Sequence, residues 1–168
     1  RDGCQDGTPF SGASFQFLTA NVQVDPARVD PAALAASGWK GATSDGGTLF
    51  PPYAVRTFGG VKVGFVGVAL RGVPALVGPS MVRGLTFAPE AAAANVVVDE
   101  LVRQGVRAIV VLIHEGGSLP EGVPDPCADL TGEIVGIVGQ LSPEVDVVVS
   151  GHTHRDYTCT IGSALVTS

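Results

Sequence analysis

Two short apolar segments that each run into histidine constrain this chain more than any other feature. Val106–Ile113 (VRAIVVLI) leads directly to His114, and Val145–Ser150 (VDVVVS) leads through Gly151 to His152 and His154. Between them, Gly132–Leu141 sets Ile134, Ile137, Val138 and Leu141 at i, i+3, i+4 and i+7, the spacing of an amphipathic helix. Two strands joined through a crossover helix lie parallel in one sheet. Ligands of such sheets bind beyond the carboxyl ends of the strands. A parallel arrangement therefore gathers all three histidines of the chain at one end. The near-continuous apolar character of Val106–Ile113 further predicts a sheet covered on both faces.

The remaining elements follow from local pattern. Phe15–Val22 (FQFLTANV) predicts a buried strand, and Gln23–Pro52, rich in Asp, Ala, Gly and Pro, a long surface excursion with one helical turn at Ala32–Ala36. Tyr53–Phe58 and Val61–Val68 flank Gly59-Gly60, the signature of a two-residue β-hairpin. Pro89–Gln104 predicts a helix: Pro89 suits its first position, Glu90 the positive end of its dipole and Gly105 its stop. Its polar residues Asn95, Asp99 and Arg103 recur every four positions, leaving alanines and valines for the core. Glu115–Leu130 reads as a Gly- and Pro-rich loop, and Tyr157–Ile161 with Ala164–Thr167 as a hairpin around Gly162-Ser163. Strands alternating with helices make this an α/β chain of one domain.

Composition sets the outer limits. With 16 acidic and 10 basic residues the net charge is −6, which argues against a generic nucleic-acid binder. An apolar content of 45% against 15% charged residues supports a packed core. The longest apolar run, Val63–Leu70, is far below the 18 or so residues of a membrane span. The first residue is Arg1 and the last residues, Val166-Thr167-Ser168, follow directly on a strand, so both ends read as cuts inside a larger protein. Cys4, Cys127 and Cys159 form no Cys-x-x-Cys pair, which disfavours a zinc ribbon. Their odd number leaves two readings open: reduced thiols, or a Cys127–Cys159 disulfide with Cys4 pairing elsewhere, which would imply an extracytoplasmic location.

A neutral imidazole offers one nitrogen to a metal and its other N–H to a second acceptor, so His114, His152 and His154 are the candidate metal ligands. Gly116-Gly117 and Gly151 are expected to let the backbone turn sharply and to keep side-chain bulk away from a substrate. Centres that hydrolyse phosphate esters with histidine ligands normally hold two metals, which need more protein ligands than three histidines. The chain has no Asp-x-His or Asn-His pair to supply them.

The segments Leu18-Thr19-Ala20-Asn21-Val22, Tyr53–Leu70, Val111-Leu112-Ile113-His114-Glu115-Gly116 and Ser150-Gly151-His152-Thr153-His154 together resemble the calcineurin-like metallophosphoesterases, and within them the bacterial 5′-nucleotidase group. That resemblance implies a metallophosphoesterase-like α/β fold, a β-sandwich with flanking helices. Residues 1–168 would be part of the metallophosphatase domain, incomplete at the N-terminus, with its upstream half and the C-terminal nucleotide-binding domain absent. It implies two divalent metal ions in the intact protein, drawn from Mn, Zn, Fe or Co, with His114 and His152 on one and His154 on the other. The catalytic residues are expected upstream. The implied function is hydrolysis of a small-molecule phosphate ester, with nucleoside 5′-monophosphates leading and cyclic nucleotides and nucleotide sugars open. The intact protein would be secreted or held at the cell surface, with neither nucleic acid nor a membrane span involved. This chain alone would be inert, with a sheet edge ahead of Phe15 prone to association.

Two rival readings stay open: a mononuclear zinc hydrolase whose ligands are the three histidines, and a non-catalytic fragment or binding module. Asn21 matches the group's Ala-Asn element and reads as a hydrogen-bonding partner of the loop backbone, not as a ligand. Glu115 reads as a solvated loop residue, or else as an acceptor for the other N–H of a metal-bound histidine. Arg155 and Asp156 read as surface charges at least as readily as substrate contacts, and Asp25, Asp30 and Asp45 as turn formers.

Overall fold

In the computed structural model the described residues are 13–25, 27–29, 47–120 and 127–168. Cys4, Asp30, Asp45 and the helical turn expected at Ala32–Ala36 lie outside them. The described strands are β1 (Val22–Val24), β2 (Tyr53–Phe58), β3 (Val61–Val68), β4 (Leu85–Phe87), β5 (Ala108–Ile113), β6 (Val147–Val149), β7 (Thr158–Ile161) and β8 (Ala164–Thr167). The helices are α1 (Val73–Leu76), α2 (Glu90–Arg103) and α3 (Glu133–Val138), with one 3₁₀ turn at Pro79–Met81.

A six-stranded sheet runs in the order β2-β3-β5-β6-β8-β7, and β1 pairs with β4 in a separate ribbon. The two expected hairpins form the sheet's edges, β2 with β3 and β7 with β8, both antiparallel. Gly59 and Gly60 carry the first turn at φ 56° and 86°, the left-handed pair that a two-residue turn of this hand needs. The central strands β3, β5, β6 and β8 are all parallel. The mixed α/β class expected from the sequence is therefore the one observed.

Helix α2 forms nearly where the sequence places it, with Pro89 before its first turn and Gly105 at φ 77° after its last. It buries Ala91, Ala94, Val97, Val98 and Leu101, and packs on β3. Gly64 makes that approach close: a Cβ there would lie 2.8 Å from a Leu101 methyl. Asn95 does more than face solvent. It donates to Gln140 O (2.9 Å) and accepts from Ser142 N–H (2.8 Å), tying α2 to the segment after α3.

Several expectations need correction. The strand expected at Phe15–Val22 is instead β1 at Val22–Val24, and Phe15 and Phe17 are exposed. Thr19 and Ala20 donate singly to Pro51 O and Gly67 O, so the segment crosses the end of the β2–β3 hairpin without forming a ladder. The helix expected at Gly132–Leu141 shortens to Glu133–Val138, and the strand at Val145–Ser150 to Val147–Val149.

The two-sided burial expected of Val106–Ile113 does not hold among the described residues. Ile109, Val111 and Ile113 face the helices and are buried, whereas Leu112, Val149 and Leu165 stand 38–43% exposed. The helices cover one face, so an apolar run that fits a double-covered strand here alternates in burial. Sequence reasoning also passes over β4 and α1, which are too short to show a period.

Candidate metal centre

Sheet register brings the histidine segments together. β5 and β6 pair in parallel with Leu112 opposite Val149, so His114 and Gly151 leave the sheet side by side. His114 N–H donates to Val68 O (3.0 Å), Ser150 N–H to Thr167 O (2.8 Å), and Gly151 N–H to Glu115 O (3.1 Å). Each histidine segment is thus hydrogen-bonded to the strand beside it just where its own strand ends.

The result is a close pair of imidazoles. His152 Nδ1 lies 3.3 Å from His114 Nε2, and the rings cross at 68° with centroids 5.0 Å apart. Two nitrogens that each sit about 2.0–2.1 Å from one tetrahedral ion are about 3.3–3.4 Å apart. The observed separation therefore fits a shared metal as well as it fits a hydrogen bond between the rings. Both histidines are exposed, as is His154, which lines a 350 Å³ hollow with Gly151, His152, Arg155, Asp156 and Ser168. Among the described residues, no group of three or more His, Cys, Asp or Glu side chains converges into a ready cage for a metal ion.

The backbone of the His-x-His segment is under strain. His152 has φ 70° and His154 φ 55°, left-handed values that cost a side-chain-bearing residue. Thr153 N–H donates to Gly151 O at 2.8 Å, which makes His152 the centre of a tight turn of the rare positive-φ kind.

The glycines serve packing and not open space. A Cβ on Gly116 would meet the Gly151 carbonyl oxygen and lie 2.6 Å from Thr153 Oγ1, and one on Gly117 would lie 2.5 Å from Thr131 O. Both are buried. Gly116 lets the segment after His114 touch the His-x-His segment backbone to backbone, and Gly117 lets it pack against Thr131, so the expectation that they clear room for substrate is replaced.

Glu115 is buried, not solvated, and accepts a hydrogen bond from Gly116 N–H at 2.9 Å. It lines a cleft of 490 Å³ with Glu90, Glu133 and Arg71, on the helix side of the sheet. Asn21 behaves as the sequence suggests. Fully buried, it donates to Ala69 O (2.7 Å) and Ala88 O (3.2 Å) and accepts from Ala69 N–H (2.8 Å). Asp25 accepts from Ala27 N–H, as a turn former does. Arg155 and Asp156 are exposed beside His154. Cys127 and Cys159 form a disulfide with Cα atoms 5.3 Å apart, linking the segment that follows His114 to the strand that follows His154. Sequence reasoning passes over Thr153, whose hydroxyl donates to Gly117 O at 2.7 Å. Its only sequence signal is a hydroxyl placed between two histidines.

No family model matches the chain. Three curated proteins are similar to parts of it. Endonuclease YhcR of Bacillus subtilis is 30% identical over 112 residues, 67% of this chain and 9% of that protein. Cell wall protein Lmo0130 of Listeria monocytogenes is 37% identical over 113 residues, 63% of this chain and 14% of that protein. The 5′-nucleotidase of Rattus norvegicus is 32% identical over 106 residues, 63% of this chain and 16% of that protein. The chain thus spans less than a fifth of the length of these relatives.

Among solved structures, the 5′-nucleotidase precursor of Thermus thermophilus aligns with 27% identity and a TM-score of 0.57, over 90% of this chain and 27% of that one. The sulfate thiohydrolase SoxB of Thermus thermophilus (TM-score 0.64, 21% identity) covers 92% of this chain and 23% of its own. The calcineurin-like phosphoesterase YfkN of Bacillus subtilis (TM-score 0.60, 16% identity) covers 92% and 47%. These two share the fold. The chain is thus similar in sequence to 5′-nucleotidases and shares its fold with calcineurin-like phosphoesterases.

Proposed function

We propose that this chain contributes His114, His152 and His154 to a two-metal centre that hydrolyses phosphate esters, nucleoside 5′-monophosphates first among them. One observation carries the reading: the 3.3 Å approach of His114 Nε2 and His152 Nδ1 beyond the carboxyl ends of two parallel strands. That separation fits two nitrogens on a single ion. His154 lines the adjoining hollow and would serve the second ion. When bound, the ion pair supplies Lewis-acid polarisation of the phosphoryl group and acidifies water toward neutral pH. Imidazole nitrogens suit Zn and Fe, and the oxygen ligands that would complete the pair admit Mn or Co as well.

The chain's own part is to present neutral imidazole lone pairs from two loops held in fixed register. Arg155, exposed beside His154, is the cation of this hollow nearest in sequence to the histidines and would meet the phosphate. Two of the relatives are named for nucleotidase and endonuclease activities, whose shared chemistry is the phosphate ester. The acidic net charge favours the small nucleotide. We place the protein outside the cytoplasm. The Cys127–Cys159 disulfide and the similarity to a protein named for the cell wall support that location.

The test is elemental analysis of the chain loaded with Mn²⁺ or Zn²⁺ and desalted, beside His114→Ala and His154→Ala variants. Metal retained by the wild type and lost only in part in each variant, as ligands of two separate ions require, supports the reading. One ion per chain, lost equally in both, would replace it with a mononuclear three-histidine site. Equal retention by all three proteins would remove the histidines from the site. For the metal-loaded chain or a longer chain containing it, faster release of phosphate from AMP than from DNA ends supports the substrate; the reverse order overturns it.

A further inference from the structure

We propose that Thr153 is the positioning residue of the histidine centre, its hydroxyl fixing the strained peptide that aims His152 and His154. This inference rests on the metal-binding reading above.

Residues at positive φ persist only where their surroundings over-determine them. Two of them flank Thr153, at φ 70° and 55°, and they are the only non-glycine residues of that kind among the described residues. Something must hold them. The His-x-His segment is too short for a ladder, and its histidine side chains stand in solvent. Thr153 is the residue between them with two anchors. Its N–H closes the tight turn on Gly151 O (2.8 Å), and its Oγ1 donates to Gly117 O (2.7 Å) on the segment that follows His114.

The partner segment is shaped to receive it. The absent Cβ of Gly116 leaves the notch in which Thr153 Oγ1 and Cγ2 sit, 2.6 and 3.2 Å from where that Cβ would be. Gly117 O, the acceptor, is three residues from His114. The hydroxyl therefore couples the backbones carrying the two imidazoles that approach to 3.3 Å. Without it, the tight turn at His152 can relax toward negative φ, and a rotation about that residue swings its ring away from His114.

Three variants of the full chain test this: Thr153→Val, which keeps shape and removes the hydroxyl; Thr153→Ala, which removes both hydroxyl and branch; and Thr153→Ser, which restores the hydroxyl. Two readouts are taken. The first is amide hydrogen exchange of residues 151–154 in the metal-free chain, and the second is the dissociation constant for Zn²⁺ alone. The expectation is faster exchange and about tenfold weaker zinc binding in Thr153→Val and Thr153→Ala, a loss of the size seen when groups that orient ligands are removed. Thr153→Ser stays within about twofold of wild type in both.

Wild-type exchange and affinity in Thr153→Val overturn the proposal, as does a Thr153→Ser variant no better than Thr153→Ala, which would assign the effect to the methyl group. If Thr153→Val does not fold, the contrast between Ala and Ser decides. If the wild-type chain holds no zinc, the metal reading fails by itself and the exchange data still judge Thr153.

Discussion

Replacing Asn21 with alanine separates a structural asparagine from one belonging to the proposed metal centre. Its carboxamide spans two elements: it pairs with both the N–H and the C=O of Ala69 after β3, and with the C=O of Ala88 before α2. It does there what a neighbouring strand would do, since residues 18–21 form no ladder of their own. Asn21→Ala leaves three backbone groups without their partner in a site whose asparagine is fully buried. Each unsatisfied buried group costs about 1–3 kcal/mol, and Ala69 and Ala88 are only half-buried, so the lower part of that range applies. The sum is about 3–5 kcal/mol, a large share of the ~5–15 kcal/mol of a typical domain. In urea, with a slope of about 2 kcal/mol per molar, the midpoint falls by about 2 M. Asn21→Asp is worse at neutral pH, because a carboxylate oxygen would face two carbonyl oxygens. The measurement is the urea midpoint by circular dichroism, with zinc affinity taken below the transition. A midpoint within about 0.5 M of wild type refutes the reasoning. Loss of zinc binding without loss of stability would move Asn21 into the site.

Two further perturbations read other parts of the molecule. Reducing the Cys127–Cys159 disulfide, which spans a sequence separation of 32, removes about 3–4 kcal/mol in the chain-entropy account. The melting temperature should fall by about 6–15 °C, checked by melts with and without reductant. Protein prepared under oxidising conditions in which mass spectrometry finds both thiols alkylated would count against the pair. Gly116→Ala and Gly136→Ala should move stability in opposite directions. A Cβ at Gly116 strikes the Gly151 backbone, at a cost of about 1–3 kcal/mol, whereas one at Gly136 meets nothing within 4 Å inside α3 and gains about 0.5–1 kcal/mol in helix propensity. The same sign for both in thermal melts would show that the close approach of the two loops is not what Gly116 permits.

The parts of the fold that were legible are those where one physical signal dominates. Gly59-Gly60 and Gly162-Ser163 mark the two hairpins because few residues accept the required turn. Helix α2 is legible because Pro89 and Gly105 punctuate its ends and its buried residues keep a helical period. The segment 15–21 misleads because its apolar residues resemble a strand, whereas Asn21 takes the backbone groups of Ala69 that a ladder would use. Val106–Ile113 misleads about its environment. An unbroken apolar run cannot report that Leu112 and Val149 stand on a face left open among the described residues. At the site, the gathering of the histidines was legible from strand order alone. The burial of Glu115 and the role of Thr153 were not, because both depend on contacts between loops 36 or so residues apart.

That the histidines meet at 3.3 Å depends on register, and hydrophobic burial alone does not fix it. A one-residue slip of β6 against β5 would turn Val148 out and Val149 in, which the core rejects. A two-residue slip keeps every face correct yet carries His152 about 6.6 Å along the strand, far out of reach of His114. With β6 only three residues long, the ladder itself resists such a slip weakly. The resistance comes from its two ends. At the start, Asp146 Oδ2 accepts from Ile109 N–H (2.8 Å), its own N–H donates to Ile109 O (3.0 Å), and its carbonyl accepts from Leu165 N–H (2.9 Å), so one residue pins β5, β6 and β8 together. At the finish, Ser150 Oγ donates to Thr167 O (3.0 Å) and lies 2.5 Å from the buried Tyr157 hydroxyl. A polar residue at each end of an apolar strand is thus what converts a sheet that could pair two ways into one that brings His114 and His152 together.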